Sequence, residues 1–154
     1  MKQVFLLISF MYLLVACKKD DKVYPIKTYL IESNEQITKM DNNWTDYLTK
    51  EIQIVKGNKS VHISLDMSAT GVEGTPEIAF RAKVGTQYSN PSLVKWVTYN
   101  ALEKPHAEFL IENVAAGKYD IGIQWKAITG SITTSQFHQS DSYNRVFIVE
   151  YPRN

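Results

Sequence analysis

Lys118-Tyr119-Asp120-Ile121-Gly122-Ile123-Gln124-Trp125-Lys126-Ala127-Ile128 alternates, with Tyr119, Ile121, Ile123, Trp125 and Ala127 at one parity and Asp120, Gly122, Gln124 and Lys126 at the other. A period of two is the mark of a strand with one face buried, and Trp125 is read as a core residue. Ala116-Gly117 sets its start and Gly130 is expected to close it. Working outward, Ile78, Phe80, Ala82 and Val84 alternate with outward Arg81 and Lys83 over Glu77 to Val84, and Val61, Ile63 and Leu65 alternate with His62, Ser64 and Asp66 over Ser60 to Asp66. Lys56-Gly57-Asn58-Lys59 tolerates positive φ and predicts a hairpin joining the strand Glu51 to Val55 to the one after it. Ser92 to Tyr99 and Arg145 to Tyr151 are apolar on both faces, the second reading as a central strand ended by Pro152. His106 to Val114 adds a strand, and Val23 to Ile31 reads as an edge strand because Pro25 cannot donate to a ladder. Glu32 to Asp46 and Ala69 to Pro76 read as loops, the first with room for a helical turn. About eight strands with turns between them, and no sustained helical period, predict an all-β chain. Strands at these intervals fit an antiparallel two-sheet sandwich or a barrel.

The 154 residues suffice for one domain with a real core, placed at 23–154. Lys plus Arg number 17 against 16 Asp plus Glu, and Lys2 is the one charge before Cys17. The chain beyond Cys17 is therefore neutral, which offers no electrostatic reason to expect nucleic acid as a partner. A lone cysteine excludes an internal disulfide and a thiolate-rich metal site.

That cysteine sits at an informative place. Lys2 is a short positive region, and Val4 to Ala16 is an apolar run of signal-peptide length, too short to span a bilayer, which needs about 20 residues. Leu14-Val15-Ala16-Cys17 resembles the bacterial lipobox. The resemblance implies a signal peptide over 1–16, lipidation of Cys17 and a tether over 17–22. Lys18, Lys19, Asp20 and Asp21 directly after it look like the Bacteroidetes lipoprotein export signal, or serve simply as a solvated tether. The export reading implies a lipid anchor in the outer membrane, with the domain facing the cell exterior.

Three stretches between about Trp44 and Tyr151 carry a second resemblance. Ile78 to Val84 with its aromatic-Arg pair, Ala115 to Ala127 with Ala-Gly-x-Tyr and Gln-Trp, and the terminal Arg145 to Tyr151 are similar to the jelly-roll heads of the tumour necrosis factor and complement type. The resemblance implies a jelly roll, an antiparallel two-sheet sandwich, with an immunoglobulin-like sandwich as the alternative. Such heads commonly form trimers and bind partners on their outer surface without catalysis. The chain departs from them after the mid-domain strand, where Gly85-Thr86-Gln87 stands in place of Asp-Gly.

Catalytic chemistry finds little support. His62, His106 and His138 lack metal-ligand spacing, Gly130-Ser131 lacks the surroundings of a nucleophile elbow, and Glu73, Glu77, Glu103 and Glu108 form no spaced acid/base couple. No enzyme activity, cofactor or metal is expected. Aromatic residues are more suggestive: Trp44, Tyr47, Tyr88, Phe137 and Tyr143 stand in polar stretches, where rings either stack on sugars and anchor proteins or cap the sandwich ends. The expected function is a non-enzymatic binding or adhesion module for a carbohydrate or protein partner. The alternative is a structural subunit of an oligomeric, trimeric assembly joined through Ser92 to Tyr99 and Arg145 to Tyr151.

Overall fold

Strand β10, Gly117–Thr134, is the axis of the larger of two antiparallel sheets. A computed structural model describes residues 27–97, 100–134 and 144–152. The signal segment, Cys17, the charges Lys18 to Asp21, Phe137, His138 and Tyr143 all lie outside the described residues. The other elements are β1 Lys27–Glu32, β2 Thr38–Lys39, β3 Thr45–Ile54, β4 Lys59–Asp66, β5 Ala69–Val84, β6 Gln87–Tyr88, β7 Ser92–Lys95, β8 Leu102–Glu103, β9 His106–Val114 and β11 Arg145–Pro152.

The smaller sheet has the order β1-β11-β4-β9. In the larger, of seven strands, β10 and β5 pair centrally, β2 and β3 flank β10, and β6, β7 and β8 flank β5. Each sheet turns its alternate apolar residues toward the other, as sequence periodicity requires. Val61, Ile63, Leu65, Val146 and Ile148 meet Ile78, Phe80, Ala82, Ile121, Ile123 and Trp125 in one hydrophobic core. This is a jelly-roll β-sandwich. As expected, β1 is an edge strand and β11 is central in its sheet.

Several local expectations are corrected. β3 and β4 do not form a hairpin, since β3 pairs with β10 and β4 with β11 and β9. The turn at Asn58, with φ of 55°, carries the chain from one sheet to the other. Ala69 to Pro76 is strand, the first half of β5, paired with the end of β10. Nor does Gly130 stop β10: at φ of 61° it absorbs one of the register shifts by which the strand continues to Thr134. Within Glu32 to Asp46 lies β2, pairing Thr38 and Lys39 with Thr133 and Ile132, and no helix occurs among the described residues. Ser92 to Val97 is not buried on both faces, because Trp96 is enclosed while Leu93 and Val97 face solvent.

Candidate functional site

The outer face of the larger sheet gathers side chains from β3, β10, β5 and β6. The local cause is a bulge in β3. Ile123 pairs with Leu48 but Gln124 pairs with Asp46, so Tyr47 is an extra residue on that strand. Tyr47 and Leu48 consequently both enter the core, and the parity reverses so that Trp44 and Asp46 point outward. The chain before β3 is fixed as well. Asp41 accepts hydrogen bonds from the Asn43 amide (2.9 Å) and from Lys39 Nζ (3.0 Å), while its carbonyl takes the amide of Ala127 on β10 (2.9 Å). Lys39, itself buried, also donates to Thr45 Oγ1 at 2.9 Å.

Asp46, Gln124 and Arg81 lie directly opposite one another on three neighbouring strands. Gln124 Nε2 donates to Asp46 Oδ1 at 2.7 Å, and Gln124 Oε1 accepts both Arg81 Nε at 2.9 Å and Nη2 at 2.7 Å. Lys83 Nζ reaches the other oxygen, Asp46 Oδ2, at 2.9 Å. Burial raises the Asp46 pKa, but the bonds from Lys83 and Gln124 outweigh it and hold the carboxyl below its ordinary value. The same bond from Asp46 raises Lys83.

Two rings enclose the Arg81 guanidinium. Its carbon lies 4.2 Å from the Trp44 ring centroid and 4.0 Å from that of Tyr88, within the range of cation-π attraction. Tyr88 arrives by a tight β5-β6 hairpin in which Gly85 supplies φ of 58°, and a Cβ there would meet Tyr119 Cδ1 at 2.8 Å. The Gly85-Thr86 turn thus places Tyr88 opposite Lys83, beside Arg81. Lys126 completes the group, with Nζ 5.1 Å from the Trp44 centroid.

Among the aromatic residues singled out by sequence, Trp44 and Tyr88 come together in this way. Tyr47 does not join them. It is 8% exposed and stacks on Trp125 with centroids 4.2 Å apart, so it is a core residue, and burial lifts its hydroxyl pKa above the ordinary value. Phe137 and Tyr143 lie outside the described residues. Arg81 and Gln124 were legible only as outward strand positions; their facing register comes from β10 and β5, which no local pattern reveals.

The smaller sheet carries a second polar group on its outer face. His106 Nδ1 lies 2.6 Å from Asp66 Oδ1 and Nε2 lies 3.3 Å from Glu108 Oε1, while His62 Nε2 lies 3.8 Å from Glu108 Oε2. Pairing of β4 with β9 therefore unites two histidines and two carboxylates that sequence spacing left scattered. The bond from Asp66 raises the His106 pKa against the opposing effect of burial, with help from Glu108. No group of three or more His, Cys, Asp or Glu among the described residues is arranged to hold a metal ion.

No family model and no curated protein matches the chain. Among solved structures it is similar to the Eiger TNF of S. frugiperda, with TM-score 0.56 and 6% identity over 85% of this chain and 96% of that one. The infectious bursal disease virus Gx strain gives TM-score 0.49 and 10% identity over 82% of this chain and 32% of that one. A carbohydrate binding module of Cellvibrio mixtus lichenase 5A, solved with cellotriose, gives TM-score 0.40 and 12% identity over 80% and 98%. At such identity the likeness to the TNF concerns the fold alone: the chain is a jelly-roll domain of the general shape of TNF heads.

Proposed function

We propose that this protein is a non-enzymatic binding module whose ligand is a carbohydrate, held on the outer face of the seven-stranded sheet. The observation that carries this reading is the Trp44-Arg81-Tyr88 stack beside the Asp46-Gln124-Arg81 row. Tyr88 is 46% exposed, offering an aromatic surface, and carboxylate, amide and cation stand next to it in a geometry set by three paired strands. Sugar rings stack their C–H faces on such surfaces while their hydroxyls take hydrogen bonds alongside. Sites borne on strands also hold position better than sites on loops.

The test is a glycan array probed with residues 22–154, followed by calorimetry on the glycans retained. Tyr88→Ala should weaken affinity at least tenfold while leaving the fold intact. If the folded domain binds no glycan, or Tyr88→Ala binds as well as the parent, the reading fails.

For location we propose cleavage before Cys17, lipidation of that residue and display on the outer membrane. The supports are the lipobox Leu14 to Cys17 and the charges Lys18, Lys19, Asp20 and Asp21. Cys17→Ala should release the protein from membranes, and unchanged retention refutes the anchor. Protease added to intact cells should digest the domain; full protection refutes surface display.

A second reading is favoured by a different surface. Leu30 and Phe147 pair across β1 and β11, and Val149, His62 and Leu110 run across β11, β4 and β9, all on the outer face of the smaller sheet. This semi-apolar face suits self-association into a homotrimer as a structural assembly. Light scattering on residues 22–154 decides it, since a trimeric mass supports assembly and a monomer removes it.

A further inference from the structure

Charge on the candidate face is unevenly satisfied. Lys83 is neutralised by Asp46, and Lys118 by Glu51. Arg81 and Lys126, by contrast, have no carboxylate partner among the described residues, and both approach the same Trp44 ring. Their distances to that shared ring keep them no more than about 9 Å apart, comparable with the Debye length in physiological salt. The Asp46 carboxylate is not free to compensate them, since Lys83 takes one oxygen and Gln124 the other. Arg81 spends Nε and Nη2 on the single oxygen of Gln124, and its Nη1 amine makes no hydrogen bond among the described residues.

Two neighbouring cations, both half-buried and held against aromatic rings, thus have no counter-charge among the described residues. Holding them in register is a cost that an anion would relieve. A guanidinium edge whose plane is fixed and one of whose amines is open is suited to an oxyanion, with the ammonium as a second point of attachment.

Resting on the carbohydrate reading, we infer that the ligand is an anionic sugar: one bearing a carboxylate or sulfate that bridges Arg81 Nη1 and Lys126 Nζ while its ring lies against Tyr88. The rings favour a saccharide over an acidic peptide, because the cations sit beside an exposed aromatic surface on which a sugar ring can stack.

The experiment is titration calorimetry of residues 22–154 with matched probes: tetragalacturonate and its methyl ester, a sulfated galactan oligosaccharide and its desulfated form, and poly-glutamate. At least one charged sugar should bind ten times or more tighter than its uncharged counterpart. Lys126→Gln should remove that advantage, and the advantage should shrink between 50 and 500 mM salt. Equal binding of charged and uncharged sugars overturns the inference while leaving the carbohydrate reading in place. Binding of poly-glutamate alone, or of none of these probes, overturns the inference, and with a blank glycan array it overturns the carbohydrate reading too. Lys126→Gln binding the charged sugar as tightly as the parent removes Lys126 from the site and overturns the bridging geometry.

Discussion

Replacing Gly122 by alanine should both destabilise the domain and disorganise its candidate site. Gly122 lies on the outer face of β10 between Thr49 and Lys83, one residue before the bulge that aims Asp46 and Trp44 outward. A Cβ at this position would stand 1.9 Å from the Leu48 carbonyl oxygen and 2.7 Å from Thr49 Cα. Both are backbone atoms, so no rotamer change relieves the collision. Ordinary contact begins near 3.4 Å, so β3 must retreat by about 1.5 Å. Such overpacking costs about 1–3 kcal/mol, and weakening the two ladder hydrogen bonds beside it adds about 0.5–1.5 kcal/mol each. A total of about 2–6 kcal/mol corresponds to a Tm lower by about 8–24 °C for a domain of this size. Differential scanning calorimetry reads the stability, and the Gln124 side-chain amide resonances report the row it shares with Asp46 and Arg81. A variant melting within 3 °C of the parent, with those resonances unmoved, would refute the close approach of β3 and the account of how the bulge builds the site.

Other consequences are as specific. Tyr47→Phe should leave ligand affinity unchanged, because the ring packs on Trp125; its hydroxyl is buried with no hydrogen-bond partner among the described residues, so stability should stay level or rise by about 1 kcal/mol. Loss of affinity in that variant would restore Tyr47 to the binding face. His106 has a folded pKa raised by Asp66, so its contribution is complete below the unfolded value near 6.5 and fades as pH rises through the folded value. Urea melts from pH 5.5 to 9 should therefore show the parent's advantage over His106→Gln shrinking toward alkaline pH, by less than about 1 kcal/mol since the pair is half exposed. An advantage that is constant or grows with pH contradicts the pairing. Tyr29 donates to the buried Glu150 at 2.9 Å, and burial first, then that carboxylate, pushes its pKa up to about 12. An ultraviolet titration should find two tyrosines, Tyr29 and Tyr47, ionising above the ordinary range, and Tyr29→Phe should remove one of them.

The fold was largely legible because each long strand announces its own buried parity. His106 to Val114 and Arg145 to Tyr151 needed no correction beyond one residue, and the inward sets of β4, β5 and β10 follow from alternation alone. What failed was whatever depends on partners. Lys56 to Lys59 has turn chemistry that serves a hairpin and a sheet-to-sheet crossing equally, and only the pairing of β3 with β10, far along the chain, separates them. The site was half legible for the same reason. Trp44 and Tyr88 stood out as rings among polar residues, yet so did Tyr47, which the bulge turns inward by interrupting the period of two. Arg81 and Gln124 were visible as outward positions, and their row with Asp46 exists only once three strands are in register.

The proposed ligand site lies where Trp44, Arg81, Tyr88 and Lys126 meet. Chemical-shift mapping with the tightest glycan from the array tests this most directly, following the Trp44 indole N–H, the Arg81 Nε–H and the Gln124 amide. These signals should shift together and saturate at the calorimetric Kd, while Leu110 and His62 on the opposite sheet stay still. Shifts confined to the smaller sheet, with Trp44 and Arg81 unmoved, would contradict this placement.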